Sequence, residues 1–225
     1  MTKKEFAKLI DHTLLRPEAT ADKIIQLCEE ALEFGFGAVC VAPTWVSLAS
    51  KTLASSSVKV VSVVGFPLGN TLTRVKAYEA SQVVKNGADE IDMVINIGAL
   101  LSGQKEIVFK DIKSVIESAH QEDPKTLIKV ILETSILSDD QKILACKLAQ
   151  KAGADFVKTS TGFMPRGATI QDVSLLRRVV GNRLGVKAAG GIRDLSTAME
   201  MIAAGATRLG CSSSVSIIKE FTDES

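Results

Sequence analysis

Short apolar runs rich in valine and isoleucine alternate along this chain with longer stretches whose apolar residues recur at helical spacing. One phrase marks the joints: "FGFGAVCVA" from Phe34, "KNGADEIDMVIN" from Lys85, "KAGADFVKTS" from Lys151 and "AAGATRLGCS" from Ala203. Each closes an amphipathic run, passes a glycine suited to the left-handed residue that ends a helix, and enters a β-rich segment. The pattern predicts strands at residues 39–42, 59–65, 90–96, 127–133, 155–160, 185–189 and 207–211, with amphipathic stretches such as "LTRVKAYEASQVVKNG" between them. Strand starts recur roughly every twenty to forty residues, an alternation that builds parallel sheet.

The short "LIDHTL" at residues 9–14, after a brief N-terminal helix, supplies an eighth strand. A closed barrel of eight strand and helix units needs roughly 250 residues, or about 200 at the low end. The 225 residues here suffice. An open doubly wound sheet would usually carry a glycine-rich dinucleotide turn after its first strand, and "CVAPTWVSLAS" has none. The expected fold is therefore α/β, a (β/α)8 TIM barrel. No linker or low-complexity segment interrupts the pattern, so residues 1–225 read as a single domain with a short N-terminal helix.

Composition narrows the partners. The formal charge is +1 with both signs interleaved, which leaves no electrostatic footprint for nucleic acid. "MTKKEFAKLIDHTLL" places charges inside its apolar stretch, lacks a cleavage signature, and no run approaches membrane-spanning length. Neither nucleic acid nor a membrane is expected as a partner, and the cytoplasm is the expected location. Cys28, Cys40, Cys146 and Cys211 are widely spaced without a C-x-x-C and read as reduced core thiols. With only His12 and His120, a multi-histidine metal site is not expected either, so the chemistry is predicted to run without metal or cofactor.

Strands covered on both faces should be nearly continuous apolar runs, which makes the charges inside them conspicuous. These are Asp11 in "IDHT", Asp92 in "EIDMVIN", Lys129 and Glu133 in "LIKVILET", Lys158 in "FVKTS" and Lys187 in "GVKAAGG". Lys59, opening "KVVSVVGFP", reads instead as a lysine snorkelling to water at the barrel bottom. Lys158 and Lys187 are each followed by a glycine-bearing loop, "STG" or "AGGIR", which belongs to the C-terminal face where sites of this fold occur. Alternation puts Phe156, Lys158 and Ser160 on one face and Lys187 and Ala189 on one face. If those faces point inward, two ammonium groups from consecutive strands meet, and one of the two is expected to have a lowered pKa. A free amine of that kind attacks a carbonyl to form a Schiff base.

Asp92 and Asp11 would offset part of the positive charge, and Lys129, earlier in its strand, suits a deeper charge network. Gly190 and Gly191 precede a helix predicted to begin near Leu195 or Ser196. Gly210, Ser212 and Ser213 precede the last helix, and together these groups suit an anion grip after the last two strands. Ordinary helix capping is the alternative account of the serines at 212–214.

In order and spacing, "IDHTLL", "VVGFPLG", "EIDMVIN", "KVILET", "DFVKTSTGF" and "VKAAGGIRD" together resemble the deoxyribose-phosphate aldolases nearly from end to end. The resemblance implies a metal-independent class I aldolase that reversibly cleaves 2-deoxy-D-ribose 5-phosphate to D-glyceraldehyde 3-phosphate and acetaldehyde, in deoxyribonucleotide catabolism. It makes Lys158 the Schiff-base residue, Lys187 the partner that tunes it, and Asp92 the proton donor or acceptor. Asp11 and Lys129 complete the relay, Thr13 and Cys40 line the pocket, and the phosphate lies against Gly162, Gly190, Gly191, Ser212 and Ser213. The implied partner is a small phosphosugar, with homo-oligomerisation left open.

Two departures stand out: some relatives have a lysine where Phe163 stands, which leaves Arg166 open as a phosphate ligand, and some end in a tyrosine where this chain reads "EFTDES". Competing expectations are another Schiff-base barrel aldolase, of the transaldolase kind, or a phosphosugar-binding barrel without turnover.

Overall fold

The computed structural model describes residues 1–222; the end of the "EFTDES" stretch lies outside the described residues. Eight parallel strands follow one another round a closed barrel: β1 (Ile10–Leu14), β2 (Ala38–Val41), β3 (Lys59–Val64), β4 (Glu90–Val94), β5 (Leu127–Ile131), β6 (Phe156–Lys158), β7 (Gly185–Ala189) and β8 (Arg208–Cys211). The strand 9–14 predicted from sequence closes the ring, since β1 pairs with both β2 and β8. Among the described residues ten α-helices accompany them: α1 (Lys3–Ala7), α2 (Ala21–Phe34), α3 (Val46–Thr52), α4 (Thr73–Lys85), α5 (Ile97–Leu101), α6 (Lys105–Glu122), α7 (Asp139–Ala152), α8 (Ile170–Val180), α9 (Leu195–Ala203) and α10 (Ser214–Glu220). None of them is long and apolar enough to cross a membrane.

The repeated glycine phrase does what its position requires. Gly35, Gly87, Gly153 and Gly205 all have positive φ, so each helix ends in a left-handed residue and the chain turns back into the sheet. Helix starts are less uniform. Ser138 and Gln141 form a reciprocal capping box at α7, whereas α4 begins after Leu72 with no side-chain cap.

Alternation divides the strand residues between two environments. Outward-facing Val39, Ile91, Met93, Ile128, Val130, Val157, Val186 and Leu209 are buried and join the inner faces of the helices in one apolar layer. A separate group, Ala38, Cys40, Val61 and Val63 on β2 and β3, forms an apolar wall of the lumen. The charged strand residues lie in the other half of the lumen, with Phe156 and Ile131 among them.

Strands β4, β5 and β6 each end two residues earlier than the sequence predicts. Backbone pairing continues past the regular ladder through Ile95 N–H to Ile131, Leu132 N–H to Lys158 and Thr134 N–H to Thr159. The chain then turns away to form the rim: Asn96 caps α5 by accepting from Ala99 N–H, and Glu133 adopts a left-handed conformation with φ +59°.

One ion pair outside the lumen was not anticipated. Lys76 on α4 is completely buried and donates to Asp111 on α6 at 2.6 Å and to the Val94 carbonyl at the end of β4 at 2.9 Å. Its stem passes so close to Gly65 that a Cβ there would lie 2.7 Å from Lys76 Cε. The pair thus ties two helices to one strand end in a region with little water to screen it. Removing one partner leaves a buried charge uncompensated, so Asp111→Ala is expected to lower the unfolding free energy by about 3–5 kcal/mol. Urea unfolding checks this, and an unchanged midpoint would show that water reaches the site.

Candidate active site

Strand register brings the charges together. Lys158 on β6 and Lys187 on β7 are direct register partners, as are Asp92 on β4 and Lys129 on β5. Ile131, not Lys129, lies beside Lys158, so Lys129 sits one layer deeper, as its earlier position implied. Asp11 pairs in register with Gly210 across the closing β1 and β8 edge.

The centre of the cluster is the Asp92 carboxylate. Its Oδ2 accepts from Lys158 Nζ and Lys187 Nζ, each at 2.7 Å, and its Oδ1 accepts from Lys129 Nζ at 3.0 Å. Lys187 also bonds to Asp11 Oδ2. Arg208 bridges Asp11 Oδ1 at 2.6 Å and Glu90 at 2.9 Å, and Glu90 pairs with Lys129 at 2.5 Å. Two ammonium groups do meet, but they meet across a shared carboxylate oxygen rather than facing one another unscreened.

Burial and charge act against each other throughout. Desolvation would raise the Asp92 pKa, but Lys129, Lys158 and Lys187 outweigh it and hold the carboxyl well below its ordinary range. Asp11 is likewise lowered, with Lys187 and Arg208 overcoming its burial. Burial pulls the Lys187 pKa down, yet Asp11 and Asp92 prevail and raise it above the usual lysine range. Lys187 is therefore held as a cation. Cys40, completely buried in the apolar wall, has its thiol pushed up to about 11 and stays protonated at neutral pH.

Above this network opens a cavity of about 350 Å³. Of the anticipated residues, Thr13, Lys158, Gly162, Gly190, Gly191 and Ser212 line it. Asp11, Asp92, Lys129 and Lys187 lie fully buried, outside its lining. Cys40 and Ser213 do not line the cavity: the first belongs to the apolar wall, and the second is half-buried at the start of α10. Arg166 is exposed and also outside the lining. Gly210 clears space as well as bordering the cavity, since a Cβ there would fall 3.1 Å from Lys187 Cε.

Sequence reasoning overlooked four charged residues. Glu90 shares Asp92's face of β4 and Arg208 shares Gly210's face of β8, so alternation alone would have placed both inside. Arg16 and Arg193 are exposed and line the cavity mouth. Phe163 stands there too, edge-on to Phe66 with ring centroids 5.2 Å apart. Lys59, as expected, lies at the strand start, paired with Asp89 at 2.8 Å near water. A surface groove of about 480 Å³ beside α4, lined by Phe66, Leu68, Tyr78 and Glu79 among others, holds no comparable charge cluster.

The sequence profile of the DeoC/LacD family aldolases matches residues 6–216. Proteins named deoxyribose-phosphate aldolase from Halalkalibacterium halodurans and Carboxydothermus hydrogenoformans are 56% and 57% identical to this chain, over 96% of it and 95% and 94% of their own lengths. Among solved structures, one titled a putative deoxyribose-phosphate aldolase from Coccidioides immitis superposes with a TM-score of 0.94 at 43% identity, covering 98% of this chain and 87% of that one. Another, titled a unique tetrameric deoxyribose phosphate aldolase from Aeropyrum pernix, gives 0.91 at 34% identity, covering 99% and 93%.

The directions of the pKa shifts set a pH dependence. A carboxyl whose folded pKa is depressed adds stability above its unfolded value, about 3.9 for Asp, and loses it as pH falls through the folded value. Lys187, raised on folding, contributes below about 10.4 and loses its contribution at higher pH. The difference in unfolding free energy between the parent and Asp11→Asn is therefore expected to be constant from about pH 5 upward into the neutral range and to shrink below about pH 4. Urea unfolding of both proteins across that range tests it; a difference that is unchanged at acid pH would mean that Asp11 is not ionised in the folded state.

Proposed function

The chain belongs to the DeoC/LacD family of aldolases, and on that footing we infer that its reaction, the reversible cleavage of 2-deoxy-D-ribose 5-phosphate to D-glyceraldehyde 3-phosphate and acetaldehyde, runs through an imine on Lys158. The observation that carries this assignment is the placement of Lys158. Of the three lysines bonded to Asp92, it alone lines the cavity.

Charge balance supports the same choice. In the network, Lys129, Lys158, Lys187 and Arg208 face Glu90, Asp11 and Asp92, one carboxylate short of neutrality when every group is ionised. Losing one proton balances the site. Lys187 bonds to two carboxylates deep in the lumen, whereas Lys158 bonds to one and reaches the cavity. The role of amine nucleophile is therefore assigned to Lys158, with Lys187 as the fixed cation beside it.

That amine adds to the C1 aldehyde of the open-chain sugar, and loss of water leaves a protonated imine. The imine cation draws in the electron pair as the C2–C3 bond breaks. The C3 hydroxyl gives up its proton, and C3 departs as the aldehyde of glyceraldehyde 3-phosphate. The two carbons left on nitrogen form an enamine, which takes a proton at C2; water then releases acetaldehyde and restores the amine.

Asp92 is the proposed proton acceptor and donor, with Lys187, Asp11 and Lys129 as its relay. At rest three ammonium groups suppress its basicity. Once Lys158 carries no charge, as in the amine or enamine, one of those restraints is removed and Asp92 binds a proton more readily. The phosphate is assigned to the rim formed by Gly162, Gly190, Gly191 and Ser212, with the Arg16 and Arg193 side chains at the mouth, and the sugar to the side of Thr13. A phosphorylated sugar does not cross a bilayer unaided, which supports a cytoplasmic location.

Borohydride added during turnover reduces an imine to a stable amine that peptide mass spectrometry can locate. The adduct is expected on Lys158, and Lys158→Ala is expected to lose it together with at least about a thousandfold in kcat. An adduct on Lys187 would exchange the roles of the two lysines. Phosphosugar binding without any adduct would replace the enzyme by a sensor.

A further inference from the structure

Glu133, two residues past the end of β5, is a charged residue that the reaction above does not use. It is completely buried and, among the described residues, is the only non-glycine with positive φ. A glutamate rarely adopts that conformation, and such strain gathers at functional sites. Its Oε2 accepts two hydrogen bonds from Thr161, from the backbone N–H at 3.1 Å and from the hydroxyl at 2.5 Å. Its Oε1 is buried without a hydrogen-bond partner in the structure. Burying a carboxylate in this way is unfavourable, and holding Thr161 through one neutral acceptor would suffice if only local packing were at stake.

The bond to Thr161 passes directly to the cavity rim. Thr161 Oγ1 in turn accepts from Phe163 N–H at 3.1 Å, closing a turn around Gly162, whose φ is +84°. Thr161, Gly162 and Phe163 all line the cavity beside Lys158. Two bonds to a carboxylate, one of them from the hydroxyl that organises the turn, are charge-assisted and directional. Glycine at the centre of the turn has the widest conformational freedom of any residue, so its orientation depends on what anchors its neighbours.

We propose that Glu133 is a positioning residue for phosphate recognition: it holds the turn at residues 161–163 in the one orientation that presents the Gly162 backbone to the substrate's phosphate. This rests on the aldolase reading above and on the phosphate lying at that rim. Glu133 acts through Thr161 and does not touch the reacting carbons. Its loss should weaken capture of the phosphorylated substrate while leaving imine chemistry at Lys158 intact.

The test compares Glu133→Ala and Glu133→Gln with the parent in three measurements: steady-state kinetics on deoxyribose 5-phosphate, inhibition by inorganic phosphate, and borohydride trapping with acetaldehyde, which has no phosphate. Glu133→Ala is expected to raise KM and the inhibition constant for phosphate about tenfold, with kcat within about twofold and acetaldehyde trapping unchanged. Glu133→Gln, which keeps one acceptor in place, should recover most of the lost affinity. If Glu133→Ala does not fold, Thr161→Val should show the same KM effect and Thr161→Ser should reverse it.

An unchanged KM would overturn the proposal. So would a parallel fall in kcat and acetaldehyde trapping, because that would make Glu133 a support for the Lys158 strand as a whole. A parent that forms no imine with acetaldehyde would remove the aldolase premise and this proposal with it.

Discussion

The carboxylate of Asp92 is what allows three lysines to occupy the interior of this barrel. An ammonium group stripped of water is strongly unfavourable unless a counter-charge replaces its solvation, and here one fully buried carboxylate contacts three of them. Each oxygen has a defined duty: Oδ1 holds the deeper Lys129, and Oδ2 is shared by Lys158 and Lys187. Replacing Asp92 would leave cations on β5, β6 and β7 without their common partner, so the residue proposed to support the chemistry also holds this half of the lumen together. Under the proposed mechanism, stability and reactivity are coupled in the same bonds.

The division of the lumen follows from that constraint. Charges occupy β4 to β8 and β1, and the apolar wall of Ala38, Cys40, Val61 and Val63 occupies β2 and β3. Clustering the ions allows carboxylates and cations to share partners, so that no member must find its own counter-charge across an apolar gap. The apolar wall lowers the local dielectric, which strengthens each of those contacts. The Lys76 and Asp111 pair shows the same logic outside the barrel, where two buried ions and a carbonyl fix α4 and α6 to the end of β4.

Much of this was legible in the sequence because it depends on period. Alternation within "EIDMVIN", "LIKVILET" and "GVKAAGG" identifies inward-facing charges, and the recurring glycine phrase marks where helices hand over to strands. All eight strands start within one residue of the pattern's prediction, and β7 matches at both ends. What period does not encode is the partner. Lys158 and Lys187 are adjacent by register, but the carboxylate between them comes from β4, 66 residues before Lys158. Arg208 escaped notice because β8 is short and glycine-bearing, so its inward face has little side chain to reveal the alternation. Strand ends were overestimated where β-prone residues continue into the rim, as at Glu133, whose left-handed turn leaves no signal in hydrophobicity. Cys40, which the resemblance places at the pocket, packs into the apolar wall of the lumen, outside the cavity lining.

In the proposed binding mode the depth of the network also orients the substrate. A phosphate dianion is attracted to any positive charge, and four cations lie in the lumen, so a phosphosugar entering the wrong way round would seem to have an ample target. Those cations are already bonded to carboxylates, and Lys129 and Lys187 are fully buried, which leaves little uncompensated field at the cavity floor. The exposed guanidinium groups of Arg16 and Arg193 stand at the mouth instead, beside the glycine-rich turns. In the proposed binding mode this arrangement supports phosphate at the rim and the carbonyl end at Lys158. Adding a further cation to the floor would weaken that preference, because it would draw the phosphate inward.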